Sequence, residues 1–182
     1  MEKSMGSNKT VSKQSGEFPE KVILAIDGAT KSGWAIWRKG KIVKSGTKRF
    51  NASTRLNGYY DWLMESIVKW KITDVVVEDV YREHTRIMDK TFMALSKMQG
   101  VVEMVCYSKG IILEYADPIK VKRYMINGTT RNRKRDKQRM ISRVTFLGYK
   151  LQTSNADDEA DAIGILLYYL DRKNIPIKHP KK

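Results

Sequence analysis

Val75-Val76-Val77-Glu78 constrains the fold more than any other stretch of the chain. Three β-branched apolar residues in a row leave no polar face, so a strand there must be covered on both sides. Helices on both faces of a sheet follow, which is an α/β architecture. The same run ends in a carboxylate. A charge at the end of a buried strand needs a partner.

The flanking segments fit this frame. Val22 to Ile26 is a short apolar run followed by Asp27-Gly28, a buried strand ending in a turn. Trp34 to Trp37 and Ile42 to Gly46 are two further strands, with Gly40 in the turn between them, so the chain opens as an antiparallel meander. Leu56, Tyr59, Tyr60, Leu63, Met64, Ile67 and Val68 recur at helical spacing and predict an amphipathic helix over 53–69. A long helix is expected from Asp89 to Lys109, stopped by Gly110. Ile111 to Tyr115 is the fifth strand, and Asp117-Pro118 opens a helix with Pro in its first turn. A helix emerges from the charge run Gly128 to Arg139 and ends near Gly148, and the last helix starts near Asp157. The sum is a mixed five-stranded sheet flanked by helices.

The chain has 182 residues, which suits one domain with a substantial core, expected over 21–174. Residues 1–20 read as a disordered basic tail and 175–182 as a short basic C-terminal tail. The 35 Lys and Arg against 20 acids give a formal charge of +15, which favours a polyanionic partner, nucleic acid before membrane. The densest part of that charge is Arg131, Arg133, Lys134, Arg135, Lys137 and Arg139, a phosphate-binding stretch. Cys106 is the only cysteine and lies in an apolar helical pattern, so a packing role in a reducing compartment is expected. No apolar run is long enough to span a bilayer, and the N-terminal segment lacks the apolar stretch of a secretory signal.

Four acids stand where a sheet and a helix can bring them together. Asp27 and Glu78 end strands, and Asp158 and Asp161 share one face at the start of the last helix. Converging carboxylates repel one another unless a cation holds them. Oxygen-only ligands select hard ions such as Mg²⁺ or Mn²⁺. Two such ions, about 3.5 to 4 Å apart, support phosphodiester cleavage without a serine or cysteine nucleophile. Simpler readings exist. Asp27-Gly28 also suits a plain turn, and Asp157 and Asp158 suit a helix cap. Asp161 inside an apolar helix and Glu78 after three valines are harder to explain that way.

Three segments, in order, resemble the RuvC family of Holliday junction resolvases within the RNase H-like superfamily. They are Ile23 to Trp37 (ILAIDGATKSGWAIW), Val75 to Val102, and Asp157 to Leu170 (DDEADAIGILLYYL), together covering the span from about residue 21 to 171. The resemblance implies an RNase H-like sheet and Holliday junction cleavage that leaves a 5′-phosphate and a 3′-hydroxyl. It implies Asp27, Glu78, Asp158 and Asp161 as catalytic ligands of two Mg²⁺ ions, with Mn²⁺ able to substitute. It places Tyr81 where relatives stack an aromatic on junction bases, and Lys122 and Lys137 where relatives hold the DNA backbone, with Lys137 near the scissile phosphate. It implies a homodimer paired through helix 89–109, working on four-way and other branched DNA in the cytoplasm of a bacterium or phage-infected host.

The chain also departs from that pattern. Gly28-Ala29-Thr30-Lys31 replaces the usual Pro-Gly-Ser type of turn, and the basic run is heavier. The look is closer to phage-encoded members, which accept several branched structures. Other classes fit less well. An actin-like ATPase needs a second subdomain, and ribonuclease H takes its Glu from a helix. A non-catalytic DNA-binding protein leaves the four acids unexplained. His84 reads as a solvated histidine in a polar stretch rather than a ligand.

Overall fold

The computed structural model describes residues 20–80, 90–130, 132–152 and 156–180. Among these residues five strands and five helices follow in the order β1 (Val22–Asp27), β2 (Lys31–Arg38), β3 (Lys41–Arg49), α1 (Arg55–Trp70), β4 (Asp74–Glu78), α2 (Lys90–Lys109), β5 (Ile112–Ala116), α3 (Pro118–Ile126), α4 (Arg133–Phe146) and α5 (Ala156–Arg172). They form one sheet in the order β3-β2-β1-β4-β5. β1, β2 and β3 are antiparallel neighbours, and β4 and β5 run parallel to β1. The valine run is therefore central, as its composition requires.

Strand alternation sorts the core into two layers. Val22, Leu24, Ile26, Val75 and Val77 face α1 and α2, where they meet Tyr59, Leu63, Met98 and Val102. Ile23, Ala25 and Val76 face the other way and pack with Ile163, Leu166 and Leu170 of α5. The same parity carries Asp27 and Glu78, the next residues in register, to the α5 side. That register brings the strand-end acids to the helix that bears the other two. Cys106 is 1% exposed within the α1–α2 layer, as a packing residue should be.

Local signals set several boundaries. Asp117 caps α3, its carboxylate accepting the N–H groups of Ile119 and Lys120. Gly110 stops α2 at φ +63°. Asn132 caps α4 by accepting the Arg135 N–H. β2 and β3 extend beyond their apolar centres because ladder pairing continues through polar residues, as far as Lys31 opposite Arg49.

The chain ends behave differently from free tails where they are described. Glu20 takes Arg38 in a two-pronged ion pair, with N···O distances of 3.1 and 2.9 Å. Residues 175–180 have no helix or strand, yet Ile175 and Ile177 pack on the core and Tyr149 bonds His179 Nδ1 at 3.0 Å. Residues 1–19 lie outside the described residues.

Candidate active site

A cleft of about 420 Å³ opens at the ends of β1 and β4, and Asp27, Glu78, Asp158 and Asp161 all line it. Lys122 of α3 and Arg133 and Lys137 of α4 line the same cleft. Five separate stretches of sequence therefore supply one acidic floor and one basic wall.

A glycine permits the arrangement. A Cβ built on Gly33 would lie 1.8 Å from the Asp158 carbonyl oxygen. Only the absence of a side chain lets the first turn of α5 press onto β2, which brings Asp158 and Asp161 to the strand ends. Glu159 fastens the same turn. It is fully buried, and its carboxylate accepts the Ser45 hydroxyl at 2.7 Å and the Gln152 N–H at 2.9 Å. On the opposite wall, Asp136 anchors the start of α4 by accepting the Thr130 N–H and hydroxyl and the Arg139 guanidinium.

The carboxylates are crowded. Burial, then the charges of Glu78 and Asp158, hold the Asp27 carboxyl well above the usual range. Burial also raises Glu78, helped by Asp161 and opposed by a hydrogen bond shared with Asp27 and by Lys122 and Arg133. Asp161 is pushed up to about 7, by burial first and then by Asp27, with Lys122 and Lys137 opposing. Each acid keeps an accessible edge, so the cleft is a narrow pocket and not a sealed core.

Lys31 reaches Asp158 Oδ2 at 2.8 Å, and Lys137 reaches Asp157 Oδ2 at 2.5 Å. The Lys31 contact is an ion pair without hydrogen-bond alignment, so Asp158 Oδ2 stays buried with no hydrogen-bond donor. Asp158, one of the four acids, is thus paired with a lysine. Among the described residues no three Asp, Glu, His or Cys are gathered tightly enough to coordinate an ion as they stand. The donor set nevertheless fits a hard divalent cation. All four groups offer only oxygen, their charges repel, and one buried oxygen lacks a donor.

Some predicted site residues lie elsewhere. Lys134 and Arg135 are exposed in the first turn of α4 and do not line the cleft. Arg139 is committed to Asp136 and the Gly128 carbonyl. Tyr81, His84 and Arg131 lie outside the described residues, as does the predicted first residue of the long helix, Asp89. Lys31 and Glu159 escaped the sequence reading as parts of the site. Lys31 stood out only as a departure in the turn after Asp27.

Residues 23–168 match the family model described as crossover junction endodeoxyribonuclease RuvC. A RuvC of that name from Halorhodospira halophila is 28% identical over 164 residues, covering 85% of this chain and 93% of the relative. Several solved structures share the fold. Thermus thermophilus RuvC bound to a Holliday junction substrate superposes with a TM-score of 0.63 at 16% identity, covering 85% of this chain and 97% of that one. The yeast mitochondrial Holliday junction resolvase Ydc2 gives 0.61 at 12% identity, covering 88% and 82%. The fowlpox virus resolvase, in complex with Holliday junction DNA, gives 0.57 at 12% identity, covering 84% and 98%.

Proposed function

The chain belongs to the RuvC family of crossover junction endodeoxyribonucleases, and from that premise we propose that Asp27, Glu78, Asp158 and Asp161 hold the metal with which it cuts four-way and other branched DNA. The family makes it a structure-selective, junction-resolving nuclease that depends on metal. The supporting observation is the cleft itself, where the four acids meet three basic side chains.

Mg²⁺ is the ion expected there, two per site with Mn²⁺ as a substitute, and it supplies the Lewis acidity that phosphodiester hydrolysis requires. The protein's own groups do the rest. Lys122 and Arg133 face the acids across the cleft and take the phosphates on either side of the cut. Lys137 is a catalytic group in this reading, leaving Asp157 for the scissile phosphate. Lys134 and Arg135, exposed in the first turn of α4, extend the phosphate track, and the sequence assigns Arg131 the same DNA-binding role. Tyr81, just beyond β4, stacks on a base at the branch point.

The same reading makes the protein a homodimer paired through α2. The outward face of that helix repeats Met93, Lys97, Gly100, Met104 and Tyr107 at helical spacing, with Met104 58% and Tyr107 91% exposed. Nothing lies within 4 Å of a Cβ built on Gly100, so a second helix can come close there. A twofold pair presents two clefts to one junction.

The test is cleavage against binding. Asp161→Asn and Glu78→Gln should bind a four-way junction normally in EDTA but lose cleavage in Mg²⁺ by roughly a thousandfold or more. Retained cleavage by both would remove the acids from the site. In the same assay Tyr81→Ala should cost more on a four-way junction than on a flap.

A further inference from the structure

A second groove lies on the other face of the sheet. Three of the chain's four tryptophans, Trp34, Trp62 and Trp70, line it together with Lys44, Lys69 and Glu65, and it holds about 180 Å³. The fourth, Trp37, is buried in the α5 layer. The volume suits a single flat ring system and is smaller than the pockets of drug-sized ligands.

The groove is built from β2, the edge strand β3 and α1. The Trp34 indole lies across Gly46, where an added Cβ would come within 3.1 Å of the ring. Glycine there lets the indole lie close against the strand. Two positions along β3 on either side, on the same face, stand Lys44 and Lys48, both exposed. Lys69 sits 6.0 Å from the centre of the Trp70 ring. Core packing accounts for the buried edges of these tryptophans, and lysines on an edge strand blunt aggregation. Neither accounts for a ring-sized gap left between three indoles with cations beside it.

We propose that this groove is a separate site for an unpaired nucleotide of single-stranded or frayed DNA. The base stacks on the indoles, and the neighbouring phosphates lie on Lys44, Lys48 and Lys69. Trp34 is three residues from Lys31, about 10 Å along the strand, so a strand leaving the cleft can wrap the β3 edge to reach it. The site is independent of which residues hold metal in the cleft.

Intrinsic tryptophan fluorescence reads the groove directly, because three of its four sources line it. Full-length protein in EDTA is titrated with a short oligothymidylate. Saturable quenching is expected, weakening as salt rises. The double variant Lys44→Glu/Lys69→Glu should bind roughly tenfold more weakly or worse. Lys122→Glu/Arg133→Glu, which alters the cleft, should leave the quenching in place. Absence of quenching, or a loss at least as large in the cleft variant, overturns the proposal. So does an equal response to an unrelated acidic peptide. Photocrosslinking of wild-type protein to a 5-iodouracil oligonucleotide gives a check that needs no variant. Adducts at Trp34, Trp62 or Trp70 support the site, and adducts confined to cleft segments refute it.

Discussion

Asp161 sits on α5 between the Ala160 and Ala162 core positions, yet its carboxyl faces Asp27 and Asp158. Its proton leaves near 7 in the folded protein, against an ordinary value of 3.8. Between those values the folded state holds more proton than the unfolded chain, so metal-free stability falls as pH rises from about 4 to about 7. Asp161→Asn removes that penalty. In EDTA, the melting temperature of the variant should exceed that of the wild type by a few degrees at pH 7.5, with the gap closing toward pH 4. Parallel melting curves across that range would show that the charge is not strained. Glu78 and Asp161 are legible in the sequence because each is a charge in an apolar run. Glu159 is not, because it sits among three neighbouring acids and its partner Ser45 is 114 residues away. Lys31 is equally silent, since its contact with Asp158 exists only once α5 lies on β2.

Elements set how these residues meet. The valine run reveals β4 as central, and alternation along β1 and β4 then turns Asp27 and Glu78 toward one side. This much follows from sequence, as do the caps at Asp117 and the stop at Gly110. The close approach of α5 to β2 does not. It depends on Gly33, which in sequence is one glycine within an alternating strand. Gly33→Ala would force the Asp158 backbone away, where the added Cβ has no room. Overpacking of this kind typically costs about 1–3 kcal/mol, so a lowered melting temperature is expected, together with loss of cleavage. Unchanged cleavage in that variant would mean that α5 can shift without disturbing the site. The C-terminal segment shows the reverse failure. Its prolines and lysines suggest a tail, while Ile175 and Ile177 are long-range contacts that composition cannot reveal.

At the scale of the whole molecule, the net charge is +15, and two of the places that carry basic residues are the wall facing the acidic cleft and the edge strand β3. No helix among the described residues is long and apolar enough to cross a membrane. The charge favours a polyanionic partner such as nucleic acid. Pairing through α2 would set two clefts on one junction. Met104→Glu/Tyr107→Glu should then sediment as a monomer and turn paired incisions into single nicks. A wild-type protein that sediments as a monomer on DNA would dismiss that arrangement. The four-acid cleft is proposed to cut branched DNA with divalent metal. Cleavage of matched four-way, three-way, flap, single-stranded and duplex DNA, in Mg²⁺ and in Mn²⁺, tests it most directly. The expected result is paired incision of the four-way junction, cutting of other branches, and an intact duplex, all abolished by EDTA. Equal cutting of the duplex, or tight junction binding with no cutting in either metal, would contradict it.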